Sequence, residues 1–136
     1  MKRWVWLAIA GVVILWASGG ATSTVQRIAN AIAYAEGFNV PNSRAARNRN
    51  PGNLTASFGF PVEWDGMFAI FQTLEDGWTA LRMQVQMMRD GSSTYYDPTM
   101  SIEQIAQVYT ATDPSAWAFN VAAQLGVSVT TPIGAI

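Results

Sequence analysis

The sequence predicts a mainly helical domain of the α+β class with one small β-hairpin, preceded by a single N-terminal transmembrane helix. Three observations carry this. Apolar residues from Val25 onward recur at three- and four-residue spacing in four capped segments. A single stretch, "FGFPVEWDGMFAIF", carries strand composition around an Asp-Gly turn. The first 21 residues, "MKRWVWLAIAGVVILWASGGA", hold two cations followed by an uncharged apolar run from Trp4 to Ala17.

That leading segment has two readings. A cleavable signal peptide needs a positive start, a short apolar stretch and small residues at the cut, which "ASGGA" supplies. A membrane anchor needs roughly 20 apolar residues, nearly met by Trp4 to Thr22, and residues 4–21 would then lie in the lipid bilayer. Trp4, Trp6 and Trp16 favour the anchor, because tryptophan prefers membrane interfaces. A buried core helix fits less well, since the segment has no polar stripe. In either case Lys2 and Arg3 hold the N-terminus in the cytoplasm and place the following domain outside it. The division is therefore residues 1–22 as a membrane anchor or signal-like segment and residues 23–136 as one compact domain.

Within the domain, Val25, Ile28, Ala29 and Ile32 follow helical spacing, with Ser23 or Thr24 as N-cap and Gly37 just past the end. A loop from Phe38 to Ser57 carries three arginines and five asparagines. The hairpin comes next, with Pro61 confining its first strand to an edge. A second helix opens at Thr73 and presents Leu74, Trp78, Leu81, Val85 and Met88 on one face. Ser101 and Gln104 form a capping box for a third. Asp113-Pro114 starts a fourth, which Gly126 ends.

Composition limits the chemistry. The chain of 136 residues has neither Cys nor His, which excludes thiol nucleophiles, Ser-His-Asp relays and the common Cys/His zinc sites. We expect no metal and no cofactor. Without Lys2 and Arg3 the net charge is −3, six cations against nine anions, so no nucleic-acid partner is expected. Carboxylates remain as the agents of acid-base chemistry.

Glu36 is the carboxylate whose position asks for an explanation. It lies eleven residues after Val25 and, at about 100° per residue, returns to within roughly 20° of the same face. Partial desolvation and the negative end of the helix dipole would both raise its pKa, which suits a general acid. The alternative is a structural ion pair with Arg44, Arg47 or Arg49. In "RNRNPGNL", Pro51 and Gly52 fit the centre of a type II turn, with Gly52 supplying a positive φ. Asn48, Asn50 and Asn53 around it either tie the loop or read sugar hydroxyl and acetamido groups. Phe71, Gln72 and Tyr109 are further candidates to line a glycan groove, although Phe71 and Tyr109 equally suit packing.

Together the Glu-Gly pair at Glu36, "RNRNPGNL", "FAIFQTLEDGWTAL" and "WAFNVAAQLGV" resemble the small lysozyme-like murein lytic transglycosylases of phages and prophages. The resemblance covers most of the chain after Thr22, and the turn motif is its most specific part. It implies a lysozyme-like fold, peptidoglycan glycan strands as partner and Glu36 as catalytic acid/base. It further implies cleavage of the MurNAc-GlcNAc bond with a 1,6-anhydro product, as an endolysin or as a virion membrane protein opening the wall during entry. Two positions depart from the family's pattern: an Asn is usual near Asp113, and a Tyr at Trp117. A muramidase would need a second carboxylate, for which Glu63 is the first candidate and Asp65 the next. A catalytically silent wall-binding or virion structural protein is the reading from a different class.

Overall fold

A computed structural model describes residues 22–136; the expected membrane segment, residues 4–21, lies outside them. The described part is a mixed α+β structure: helices around a two-stranded antiparallel hairpin. No helix among the described residues is long and apolar enough to cross a membrane.

Each helix begins where a side chain can satisfy its first free N–H groups. Helix α1, Thr24–Ala35, is capped by Ser23, whose hydroxyl accepts from the Gln26 amide at 3.1 Å. Its other end is a Schellman motif: Phe38 N–H donates to the Ala33 carbonyl and Gly37 N–H to that of Tyr34, with Gly37 at φ 77°. The chain thereby turns sharply at Glu36, the C-cap residue. Ser43 then caps a short helix α2, Arg44–Arg47. The Phe38 to Ser57 segment was expected to be loop throughout; a four-residue helix escapes periodicity because it spans little more than one turn.

Strands β1, Val62–Asp65, and β2, Phe68–Phe71, pair from Val62↔Phe71 to Asp65↔Phe68 around the two-residue turn Gly66-Met67. Only Gly66 has a positive φ there, 61°, as a type II′ turn requires. Helices α3 (Leu74–Asp90), α4 (Ile102–Tyr109) and α5 (Pro114–Leu125) start at Thr73, Ser101 and Asp113 as expected, the second through a full capping box. A 3₁₀ turn, Ile133–Ala135, closes the chain.

Helix α1 packs against α5 and α3, α5 packs against α4, and β2 leans on α3. The core holds Ile28, Ile32, Leu81, Val85, Ile105 and Val121. Leu74, expected on the inward face of α3, is exposed in the first turn of the helix. Gly77 occupies that inward face instead. A β-carbon there would fall on the Arg49 carbonyl oxygen and lie 3.0 Å from Pro51 Cδ, so the turn after α2 rests directly on the α3 backbone.

Glycine inside a helix costs about 1 kcal/mol relative to alanine, yet this contact requires it. We expect Gly77→Ala to lose stability by roughly 1–3 kcal/mol despite the better helix former, because the turn must move. A thermal melt that rises instead would show the contact to be dispensable.

Candidate active site

The Asn48 to Leu54 segment is built from its asparagines. Asn50 is 0% exposed; its Nδ2 donates to the carbonyls of Leu54 at 3.0 Å and Ala69 at 2.8 Å, while its Oδ1 accepts from Leu54 N–H at 2.8 Å. One amide thus closes the turn and ties it to β2. Asn48 is also buried; its Nδ2 donates to Asp65 Oδ2 at 3.0 Å and its carbonyl accepts from Phe71 N–H. Both amides hold the turn to the hairpin.

The turn differs from expectation in type. Asn53 N–H donates to the Asn50 carbonyl at 3.0 Å, closing a turn centred on Pro51 and Gly52. Positive φ falls on Asn53, 46°, rather than on Gly52. Glycine is needed at position 52 for space: a β-carbon would lie 2.7 Å from Leu81 Cδ1 and 2.8 Å from the Tyr109 hydroxyl. That hydroxyl donates to the Gly52 carbonyl at 2.8 Å, anchoring the turn to α4.

Asn53 alone of the three turns to Glu36. Its Nδ2 donates to Glu36 Oε1 at 2.9 Å, and the Trp117 indole Nε1 donates to Oε2 at 2.7 Å. Trp117 comes from α5, is 5% exposed and packs its ring 4.9 Å from that of Tyr109. Tyr96 lies beyond, its ring 6.4 Å from Tyr109. Trp117 and Tyr96 were not among the expected site residues. The departure at position 117 from the Tyr of the resembled family was the available signal for the first; nothing local marks the second.

None of the three arginines proposed as ion-pair partners reaches Glu36. Arg44 pairs with Asp65 at 3.2 Å, Arg47 donates to the Asn42 carbonyl, and Arg49 donates to the Phe71 carbonyl. Burial raises the Glu36 pKa above its usual 4.5, and the bonds from Asn53 and Trp117 offset this only in part. Burial, followed by the Glu36 charge, pushes Tyr96 up to about 12 and Tyr109 well above 10. The phenols therefore stay neutral while Glu36 titrates.

Glu36 lines a groove of about 220 Å³ with Ala35, Thr110, Thr112, Asp113 and Trp117. A second hollow of about 430 Å³ is bordered by Leu54, Phe58, Gln84, Tyr95 and Tyr96. The Tyr96, Tyr109, Trp117 row runs from one to the other. Phe71, expected at a groove, is 0% exposed and stacks edge-on against Phe60: it is core, placed inward by the alternation of β2. Gln72 is exposed and borders neither hollow. Glu63 is exposed on β1, and Asp65 is held low, first by the Asn48 bond and then by Arg44. Of the other carboxylates, Asp113 is the one sharing the Glu36 groove.

A carboxyl whose pKa is raised by folding binds its proton more tightly in the native state. Stability from Glu36 is therefore greatest below its usual 4.5 and falls as pH rises through the raised value. We expect the melting temperature of the wild type to drop relative to that of Glu36→Gln as pH rises through this window; a constant difference would mean that folding leaves Glu36 unperturbed. No protein-family model, no curated protein and no solved structure matches this chain, and the reading of the site rests on its geometry.

Proposed function

We propose that this chain is a peptidoglycan lytic transglycosylase of lysozyme-like architecture, with Glu36 as its acid and base. The observation that carries the reading is Glu36 itself: a half-buried carboxyl lining a groove, bonded by two neutral donors and by no cation. Burial there raises the proton affinity of the carboxyl above its usual value, the direction a general acid needs. The mainly helical frame with one small two-stranded hairpin supports the lysozyme-like assignment.

Glu36 protonates the oxygen linking N-acetylmuramic acid to N-acetylglucosamine, and the bond from that oxygen to C1 breaks. The Glu36 carboxylate then takes the proton of the C6 hydroxyl, whose oxygen closes on C1. One carboxyl acts twice, the 1,6-anhydro ring forms and no water is consumed. Residues 4–21 hold the enzyme at the membrane with its domain on the outer side, where murein lies, for phage lysis or for wall opening during entry.

Asp113, on the same groove, gives the muramidase alternative a more suitable second carboxylate than Glu63 or Asp65. Its Oδ1 already accepts from Ala116 N–H as the cap of α5, which favours the one-carboxyl route.

The full chain should clear purified murein, and Glu36→Gln should lose at least about a hundredfold in rate. The products should be anhydromuropeptides without a reducing end. Reducing-end products would instead establish hydrolysis and direct mutagenesis to Asp113, and binding without clearing would establish a wall-binding protein. In cells, full-length protein should stay with membranes washed at alkaline pH; a soluble chain beginning near Gly20 would identify a cleaved signal peptide.

A further inference from the structure

Asn53 carries two local costs together with a bond that its fellow asparagines in the segment do not make. Its backbone sits at φ 46°, a region that side chains rarely adopt, though Asn tolerates it better than most. Its Oδ1 is buried without a hydrogen-bond partner, alone in this respect among the side chains described. Its Nδ2 bonds Glu36 and no other group. Asn48 and Asn50 use their amides to hold the turn to the hairpin; Asn53 holds nothing but the Glu36 carboxyl. An orphaned buried acceptor calls for an explanation, and the bond to Oε1 is the explanation on offer.

Trp117 completes the arrangement from the other side. Indole is a donor only, so its Nε1–H can meet Oε2 and never take a proton from it. Burial and the Tyr109 ring keep it in place. We infer that Asn53 and Trp117 are positioning residues for the Glu36 proton: each occupies one lone pair on one carboxyl oxygen, so the proton is confined to the lone pairs that remain. The inference rests on Glu36 being the acid of the proposed reaction. It assigns the roles of the two groups that aim it, one of which departs from the resembled family.

Both donors favour the ionised carboxylate, against burial, which favours the acid. The other titratable groups around Glu36 are Tyr96 and Tyr109, both neutral throughout, and Asp113 across the groove. No described ion pair brings a cation to it. Losing either donor should therefore raise the Glu36 titration midpoint and leave its carboxyl free to rotate.

The test uses the full chain with Asn53→Gly, which fits the positive φ, and Trp117→Phe, which keeps an aromatic ring. Both are first checked for native amide spectra. Carbon-13 NMR of the Glu36 carboxyl should show the midpoint moved to higher pH in each variant. On isolated glycan strands the alkaline limb of the kcat profile should move the same way. At its optimum kcat should fall roughly tenfold to hundredfold, with KM within twofold. An unchanged midpoint in both variants, or an equal loss of activity at every pH with no displaced limb, would overturn the inference. The NMR midpoint needs no turnover, so it stands apart from the activity reading, which fails separately if Glu36→Gln still clears murein.

Discussion

The carboxyl of Glu36 is half-buried and is compensated by neutral donors alone. That one constraint organises much of the surrounding structure. A buried charge without a cation persists only if hydrogen bonds stabilise it or if it takes a proton, and the two bonds come from residues 17 and 81 positions away in the chain. Bringing Asn53 there requires the turn after α2 to sit against α1. That in turn requires Gly77 in α3 to give way to the Arg49 carbonyl, and Gly52 to give way to Leu81 and Tyr109. Two glycines and one buried amide therefore serve a contact in which none of them takes part.

The same constraint explains how labour is divided in the Asn-rich turn. Asn50 saturates the backbone polar groups that a tight turn would otherwise bury unpaired, and Asn48 occupies the Asp65 carboxylate, which removes it from competition as an acid. Only after those two have fixed the turn can Asn53 be held in a positive-φ conformation with an orphaned Oδ1.

Local rules made the frame legible in the sequence. Ser23, Thr73, Ser101 and Asp113 were readable as caps because capping depends on three or four consecutive residues, and Gly37 and Gly126 as terminators for the same reason. The alignment of Glu36 with the inward face followed from helical geometry alone. What escaped depends on distant partners. The space needed at Gly52 is set by Leu81 and Tyr109, the burial of Phe71 by what covers β2, and the Asn50 bonds by a strand 19 residues away. Trp117 lies 81 residues from Glu36, and no local pattern connects the two.

This separation bears on how the Glu36 carboxyl is tuned. Burial of Glu36 is contributed by α1 and its packing partners, elements fixed by core residues such as Ile28 and Ile32 that cannot change without loss of the fold. The two donors are single side chains, one on a turn and one near the start of α5. Asn53 stands outside the hydrophobic core, whereas Trp117 is part of it. The pKa of Glu36 is thus raised by burial and lowered by the hydrogen bonds from Asn53 and Trp117. At position 117, where the resembled family usually carries a Tyr, the substitution of Trp falls on one of these two bonds. A phenol hydroxyl both donates and accepts, whereas an indole only donates, so the substitution removes one possible resting place for the proton and leaves its direction to the carboxyl itself.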